Sequence, residues 1–268
     1  MNAILMSILA VSAIGLICGI MLVVAAKFMT VKVDERAAAI REALPGANCG
    51  ACGYPGCDGY ANAIVADGIK TNLCVPGGDA TSRIISGLLG VEFEDVAARI
   101  AVCHCGGADG IAVKKMQYEG VQRCAAVKMH YGGEGACTFG CLGYGDCVTE
   151  CQNDAITVVN GVAQIDSSLC SGCGLCTHVC PNGVISTHDS TVKVVVSCVS
   201  LDRGADVRRK CTHGCIGCGK CARECPADAI TIEENLAVID YEKCTSCGHC
   251  AEVCITKCIY AANPARQG

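Results

Sequence analysis

Cys215-Ile-Gly-Cys218-Gly-Lys-Cys221-Ala-Arg-Glu-Cys225-Pro226 decides how this chain folds. Three cysteines spaced two residues apart wrap one face of a cubane in a tight loop, while the fourth, on the helix that follows, reaches a neighbouring cluster. The same three-plus-one spacing returns at Cys244, Cys247, Cys250 and Cys254. The two runs interlock. Cys215, Cys218, Cys221 and Cys254 are expected to hold one [4Fe–4S] cluster, and Cys244, Cys247, Cys250 and Cys225 a second. Zinc also takes four cysteines, but its sites do not use two interleaved three-plus-one runs.

Working outward, the pattern proves to be duplicated. Cys137, Cys141, Cys147, Cys151, Cys170, Cys173, Cys176 and Cys180 recur 74 residues later, without a gap, as Cys211, Cys215, Cys221, Cys225, Cys244, Cys247, Cys250 and Cys254. The flanks recur as well: Asp154-Ala-Ile-Thr157 answers Asp228-Ala-Ile-Thr231. A repeat of this kind marks one structural unit used twice, here a ferredoxin-like pair of clusters. In the first copy, Cys170, Cys173, Cys176 and Cys151 form a complete set. The leading loop departs from the pattern, because Tyr144 stands where the second copy has Cys218. A phenol is a poor ligand for such a cluster. Cys137 is the nearest replacement, giving Cys137, Cys141, Cys147 and Cys180 as the expected set, with a [3Fe–4S] cluster as the alternative.

Upstream lies a separate module, Cys49-x2-Cys52-x4-Cys57-x16-Cys74, which has no partner run and closes on one cluster by itself. Zinc is its alternative occupant. Cys103, Cys105, Cys124, Cys198, Cys211 and Cys258 remain outside these sets. Cys105 and Cys198 each follow a β-like apolar run, and Cys124 and Cys211 each follow basic residues. These four are expected either to hold a sixth cluster between the repeats or to be free thiols. The expected cofactors are thus five or six [4Fe–4S] clusters. Cys103 is left without a role, and Cys258 could stand in for Cys254. His104, His178, His213 and His249 lie near cluster cysteines and are expected as hydrogen-bond donors or surface residues.

Composition agrees with this chemistry. The 268 residues include 27 Cys and 32 Gly, no Trp and only three Phe, so bulky clusters rather than aromatic rings are expected to fill the cores. A net charge of −5, with no basic stripe, gives no sign of nucleic-acid binding. No G-x-G-x-x-G after a strand, no P-loop and no Ser/His/Asp arrangement is present, so no flavin or nicotinamide site is visible.

Residues 2–26 carry no charge and are rich in Ile, Leu, Val, Met and Ala. As a helix they would span about 37 Å, more than the roughly 30 Å of a hydrocarbon core. A signal peptide would place its basic residues first, whereas Lys27, Lys32 and Arg36 follow the apolar run. A retained single-pass anchor in the cell's inner membrane, with the bulk of the chain cytoplasmic, is expected. A reducing cytoplasm in turn favours metal ligation over disulfides.

The fold class is α+β, in four segments: an anchor over 1–28, the four-cysteine module with flanking helices over 29–99, and ferredoxin-like repeats over 100–190 and 191–268. Helices are expected over Val31–Leu44, Asp58–Ala66 and Ala80–Arg99, the last from the spacing of Ile84, Leu88, Val91 and Val96.

The apolar anchor, then Leu44-Pro-Gly-x-x-Cys49-Gly-x-Cys52-Gly-Tyr-Pro-Gly-Cys57 with Cys74-x-Pro-Gly-Gly78, then ferredoxin clusters, together resemble the B subunit of the Rnf ion-translocating electron-transport complexes. The likeness covers essentially the whole chain. Two ferredoxin pairs match the long members of that family; short members carry one. The resemblance implies an electron relay that accepts low-potential electrons from soluble ferredoxin and passes them to other subunits of a membrane complex reducing NAD, with Na⁺ or H⁺ moved across the membrane. A single helix without intramembrane charge offers no ion path of its own. Two other readings compete. The Cys49–Cys74 module also resembles the cluster domain of corrinoid iron–sulfur proteins, which carry a large corrinoid-binding domain. A thiol-rich metal store would show Cys-x-Cys clusters, of which only Cys103-His-Cys105 is present.

Overall fold

The computed structural model describes residues 3–28 and 34–261. Helix α1 (Ala3–Phe28) is apolar up to Lys27, and its span Leu5–Lys27 is long and apolar enough to cross a membrane; the most apolar stretch of that span is not buried against the rest of the chain. Helix α2 (Glu35–Ala43) starts at Asp34, whose carboxylate accepts the Arg36 N–H at 2.9 Å, a standard N-cap. Residues 31–33 of the expected helix lie outside the described residues. Helices α3 (Gly56–Asp67) and α4 (Gly78–Leu89) end on left-handed glycines, Gly68 and Gly90. Ile40, Leu44, Tyr60, Ile64 and Ile85 bury together with Cys57 and Cys74 to make the first core.

The expected helix over 80–99 therefore stops early. Gly90 at φ +69° terminates it, and Arg99 already belongs to a strand. The stripe of Ile84, Leu88 and Val91 also faces outward, and the buried contacts come from Ile85, Ser82 and Ser86.

The remainder is two units of one design. The first runs through β1 (Arg99–Cys103), α5 (Cys124–Met129), α6 (Asp146–Thr149), the hairpin β2 (Ile156–Val159) and β3 (Val162–Ile165), α7 (Leu175–Val179) and β4 (Ile185–Asp189). The second runs through β5 (Val194–Val196), α8 (Gly204–Lys210), α9 (Lys220–Arg223), the hairpin β6 (Ile230–Glu233) and β7 (Leu236–Ile239), α10 (His249–Val253) and β8 (Ile259–Ala261). Each unit is closed by an antiparallel pairing of its first and last strands, β1 with β4 and β5 with β8. Each has its own core, in which cysteines are interleaved with Ile, Val and Ala. Val102, Val192 and Val195, with Tyr241 and Tyr260 against them, join the units. With so few aromatic side chains available, thiols take up much of the interior.

Candidate iron–sulfur cluster sites

The loops that carry the cysteines share one local solution. Gly145, Gly174, Gly219 and Gly248 sit at φ +76°, +76°, +67° and +83°, each immediately before a helix of four or five residues. A left-handed residue there lets the loop reverse before the helix begins, and glycine adopts it without strain. Each helix then buries the third cysteine of its run: Cys147, Cys176, Cys221 and Cys250.

The thiols gather in sets. In the second unit, Cys215, Cys218, Cys221 and Cys254 line one cavity, and Cys225, Cys244, Cys247 and Cys250 line another. In the first unit, burial raises the Cys176 thiol, and Cys170, Cys173 and Cys151 lie near enough to add to that rise. In the N-terminal module, Cys49, Cys52 and Cys57 do the same to Cys74. There the Asn48 side chain accepts the Cys57 N–H at 2.9 Å. The buried Tyr60 hydroxyl donates to the Lys70 carbonyl and accepts from the Leu73 N–H, which pins the loop bearing Cys74.

Two cysteines are not where the sequence pattern suggests. The leading-loop cavity of the first unit is lined by Cys141, Cys147, Cys180 and Cys124, not Cys137. Cys137 instead shares a cavity between the units with Cys105, Cys198 and Cys211. The expected sixth set contained Cys124, and Cys124 and Cys137 stand in exchanged places. The reason is an excursion peculiar to the first unit. Cys137 comes 32 positions after Cys105, but Cys211 comes only 13 after Cys198. The added chain folds back as α5, with buried Cys124 at its start. The carboxylate of Asp146, itself 4% exposed, holds that start by accepting the Ala125 N–H at 3.2 Å and the Arg123 guanidinium at 3.5 Å.

Backbone N–H groups point at several of these sulfurs. Ala101 donates to Cys170, Cys141 to Cys105, Ala155 to Cys151, Ala229 to Cys225 and Ser246 to Cys244, over 3.2–3.4 Å. Such donors stabilise thiolate and influence cluster potential. Among the described residues, no three Cys, His, Asp or Glu side chains converge tightly enough to hold a single metal ion. Four thiols gathered around each of these cavities are a donor set that suits an iron–sulfur cubane.

Burial sets the acidity of most of these thiols. It pushes Cys74 and Cys221 up to about 11 and Cys147 and Cys176 up to about 12, so ligation must displace protons. Three thiols move the other way. Cys103 donates its S–H to Cys141, which falls to about 6. The neighbouring Cys258 thiol lowers Cys215 to about 6 and Cys254 to about 5. Cys254 and Cys258 lie 3.6 Å apart. Cys103 and Cys258 are thus fifth thiols beside the two leading loops, placed to donate hydrogen bonds. His104 serves the unit boundary: its Nδ1 donates to the Val196 carbonyl at 2.7 Å, and its Nε2 faces Ser186 at 2.6 Å. His249 lies beside Glu252 and Glu224.

Known families match three stretches of this chain: an Fe–S cluster family over residues 44–76, a 4Fe-4S binding domain over 163–186 and a 4Fe-4S dicluster domain over 214–258. The B subunit of the Na(+)-translocating ferredoxin:NAD(+) oxidoreductase complex of Acetobacterium woodii is 40% identical over 260 residues, covering 97% of this chain and 78% of that protein. The B subunit of the proton-translocating ferredoxin:NAD(+) oxidoreductase complex of Clostridium ljungdahlii is 40% identical across 96% of this chain and 91% of its own length. Its counterpart in the ion-translocating oxidoreductase complex of Methanosarcina acetivorans is 40% identical across 97% and 99%. This chain belongs to the family of Rnf B subunits.

As an Rnf B subunit, it is one member of a multi-subunit oxidoreductase complex. It also carries several 4Fe-4S domains on an α+β framework. The family models leave residues 77–162 and 187–213 unmatched, and these contain Cys103, Cys105, Cys124, Cys137, Cys198 and Cys211. Apart from Cys258, the cysteines downstream of α1 whose partners are least apparent from spacing lie in those two stretches.

Proposed function

We propose that this chain is a membrane-anchored relay that takes low-potential electrons from soluble ferredoxin and hands them to the other subunits of its complex. The observation that carries the reading is the adjacency of successive thiol sets. Burial raises the Cys49 thiol and the nearby Cys173 adds to that rise, which places the N-terminal module beside the Cys170 loop. Cys151 and Cys180 cross between the two loops of the first unit. Cys198 stands beside Cys215, at the entrance to the second unit. Clusters of the [4Fe–4S] type, when bound, accept and release one electron at a time.

The residues do the rest. Cys49, Cys52, Cys57 and Cys74 hold the first cluster. Cys151, Cys170, Cys173 and Cys176 hold one in the first unit, where Cys141, Cys147 and Cys180 contribute to another. Cys215, Cys218, Cys221 and Cys254 hold one in the second unit, and Cys225, Cys244, Cys247 and Cys250 its neighbour. Interleaved Ile, Val and Ala shield most of the sulfurs from water, Cys218 and Cys247 excepted, and backbone N–H groups stabilise several of them. Helix α1 anchors the chain as a single span in the cell's inner membrane. Lys27 and the basic residues beyond it keep the rest on the cytoplasmic side. Relatives named as ferredoxin:NAD(+) oxidoreductase subunits support ferredoxin as the donor.

The test is reduction of the anaerobically purified full chain by reduced ferredoxin, followed by bleaching of visible absorbance. Rapid bleaching is expected. If dithionite bleaches the chain and reduced ferredoxin does not, ferredoxin is not the donor.

A further inference from the structure

We propose that Cys105, Cys137, Cys198 and Cys211 hold a sixth [4Fe–4S] cluster between the two units, and that Cys124 supplies the ligand lost at Tyr144. The inference deepens the electron-relay reading and rests only on cluster binding by this chain, not on the identity of the electron donor.

The four thiols line one cavity of about 170 Å³. Its walls are made for sulfur. A Cβ added at Gly140 would stand 3.5 Å from the Cys105 Sγ and 3.8 Å from that of Cys137. One added at Gly107 would stand 3.6 Å from the Cys105 Sγ and 3.7 Å from that of Cys211. The Cys141 N–H donates to the Cys105 Sγ at 3.2 Å, and the Ser200 N–H reaches the Cys198 Sγ at 3.5 Å.

Symmetry ties the four into two pairs. Cys137 and Cys211 are 74 residues apart, the repeat interval, and open the same Cys-Thr-x-Gly-Cys sequence. Cys105 and Cys198 are paired by the backbone. The His104 N–H bonds the Val184 carbonyl and the Ser197 N–H bonds that of Cys258. Val184 and Cys258 are also 74 residues apart, which makes His104 the counterpart of Ser197 and Cys105 that of Cys198. The strands meet across the boundary, where the Gly106 N–H bonds the Ser197 carbonyl at 3.0 Å. Each unit alone offers only two thiols, so the site exists only where both are docked.

Cys124 has no counterpart in this scheme. It belongs to the excursion of the first unit and lies with Cys141, Cys147 and Cys180. The leading loop of the second unit has its own Cys218, and no such excursion is needed there.

The experiment uses the full chain, purified anaerobically, with iron and acid-labile sulfide counted beside EPR of the reduced protein. Six clusters give about 24 iron atoms per chain. Changing Cys105, Cys198 and Cys211 together to Ser should remove about four iron atoms. In that background, Cys137→Ser should remove no more, while Cys124→Ser should remove one to four further iron atoms and alter the EPR spectrum. Adding Tyr144→Cys should restore the Cys124→Ser protein, because it rebuilds the standard loop, and this rescue separates ligand loss from misfolding. An unchanged iron count in the triple variant overturns the bridging cluster. Further loss with Cys137→Ser but not with Cys124→Ser overturns the exchange. If instead the unaltered chain holds no cubane iron at all, the relay reading itself falls.

Discussion

The two ferredoxin-like units began as the same design and differ at one loop. The second unit keeps every ligand of its leading loop within Cys215–Cys221 and the crossing Cys254. The first has exchanged the middle cysteine for Tyr144 and gathers Cys124 from an excursion held by Asp146, where the second unit has Lys220. A cluster site therefore depends on where thiols converge in space, and a local motif is only the shortest way to bring them together. The excursion also leaves Cys137 beside its counterpart Cys211 at the boundary.

The largest expected effect comes from stripping iron. Thiols are part of all three main cores, so chelation should cost both units their cooperative fold. The second unit should fail first, since Cys218 and Cys247 are exposed while Tyr144 and Cys173 are partly covered. Alkylation followed by mass spectrometry would give the order; earlier labelling of Cys173 than of Cys247 would reverse the comparison.

Next comes the strap. Asp146→Ala should lower stability by about 1–3 kcal/mol, because the Ala125 N–H loses its acceptor in a half-buried site. It should also loosen the cluster near Cys124. Lys220→Ala, at the matching place, should change neither quantity. Urea unfolding with iron counts would compare them.

Gly143 and Gly217 should behave alike. Both have positive φ, and an added Cβ would lie 2.6 Å from the Gly161 carbonyl oxygen in one case and 2.7 Å from that of Asn235 in the other. Each Gly→Ala change should cost about 1–3 kcal/mol. A clear inequality between the two would show that the hairpins β2–β3 and β6–β7 do not support their loops equally.

The smallest effect concerns pH at the boundary. Burial and the nearby His104 hold His188 down at about 4, and burial also lowers His104. The unfolded chain binds protons to these rings near pH 6.5, before the folded chain does, so stability should fall as pH drops from about 6.5 towards 4. His188→Gln should flatten that part of the acid-unfolding curve. The second unit, with Ser197 in place of His104, has no matching dependence there.

Most of the ligand sets are legible in the sequence because a three-plus-one run encodes its own wrapping, and because a gapless 74-residue repeat carries the pairing across. The Cys124–Cys137 exchange is not legible, since it depends on where a folded excursion returns, and basic flanks made Cys124 look like the partner of Cys211. Helix α4 misleads for another reason. Ile84, Leu88 and Val91 have helical spacing, yet the helix docks through Ile85 and the small side chains of Ser82 and Ser86, which admit close approach but leave no hydrophobic pattern to read.

The pairing of β1 with β4 and of β5 with β8 also sets a timetable for biogenesis. The apolar core of the N-terminal module falls within residues 40–89, so it can close early on the ribosome. The first unit must wait for Ile185–Asp189 to emerge, and the second for Ile259–Ala261. Until then Val194, Val195 and Val196 present an unpaired, wholly apolar strand to solvent, with many reactive thiols around it. Iron delivery to this chain therefore belongs largely after translation, in a window when nascent β5 needs shielding from aggregation and its neighbouring thiols from oxidation.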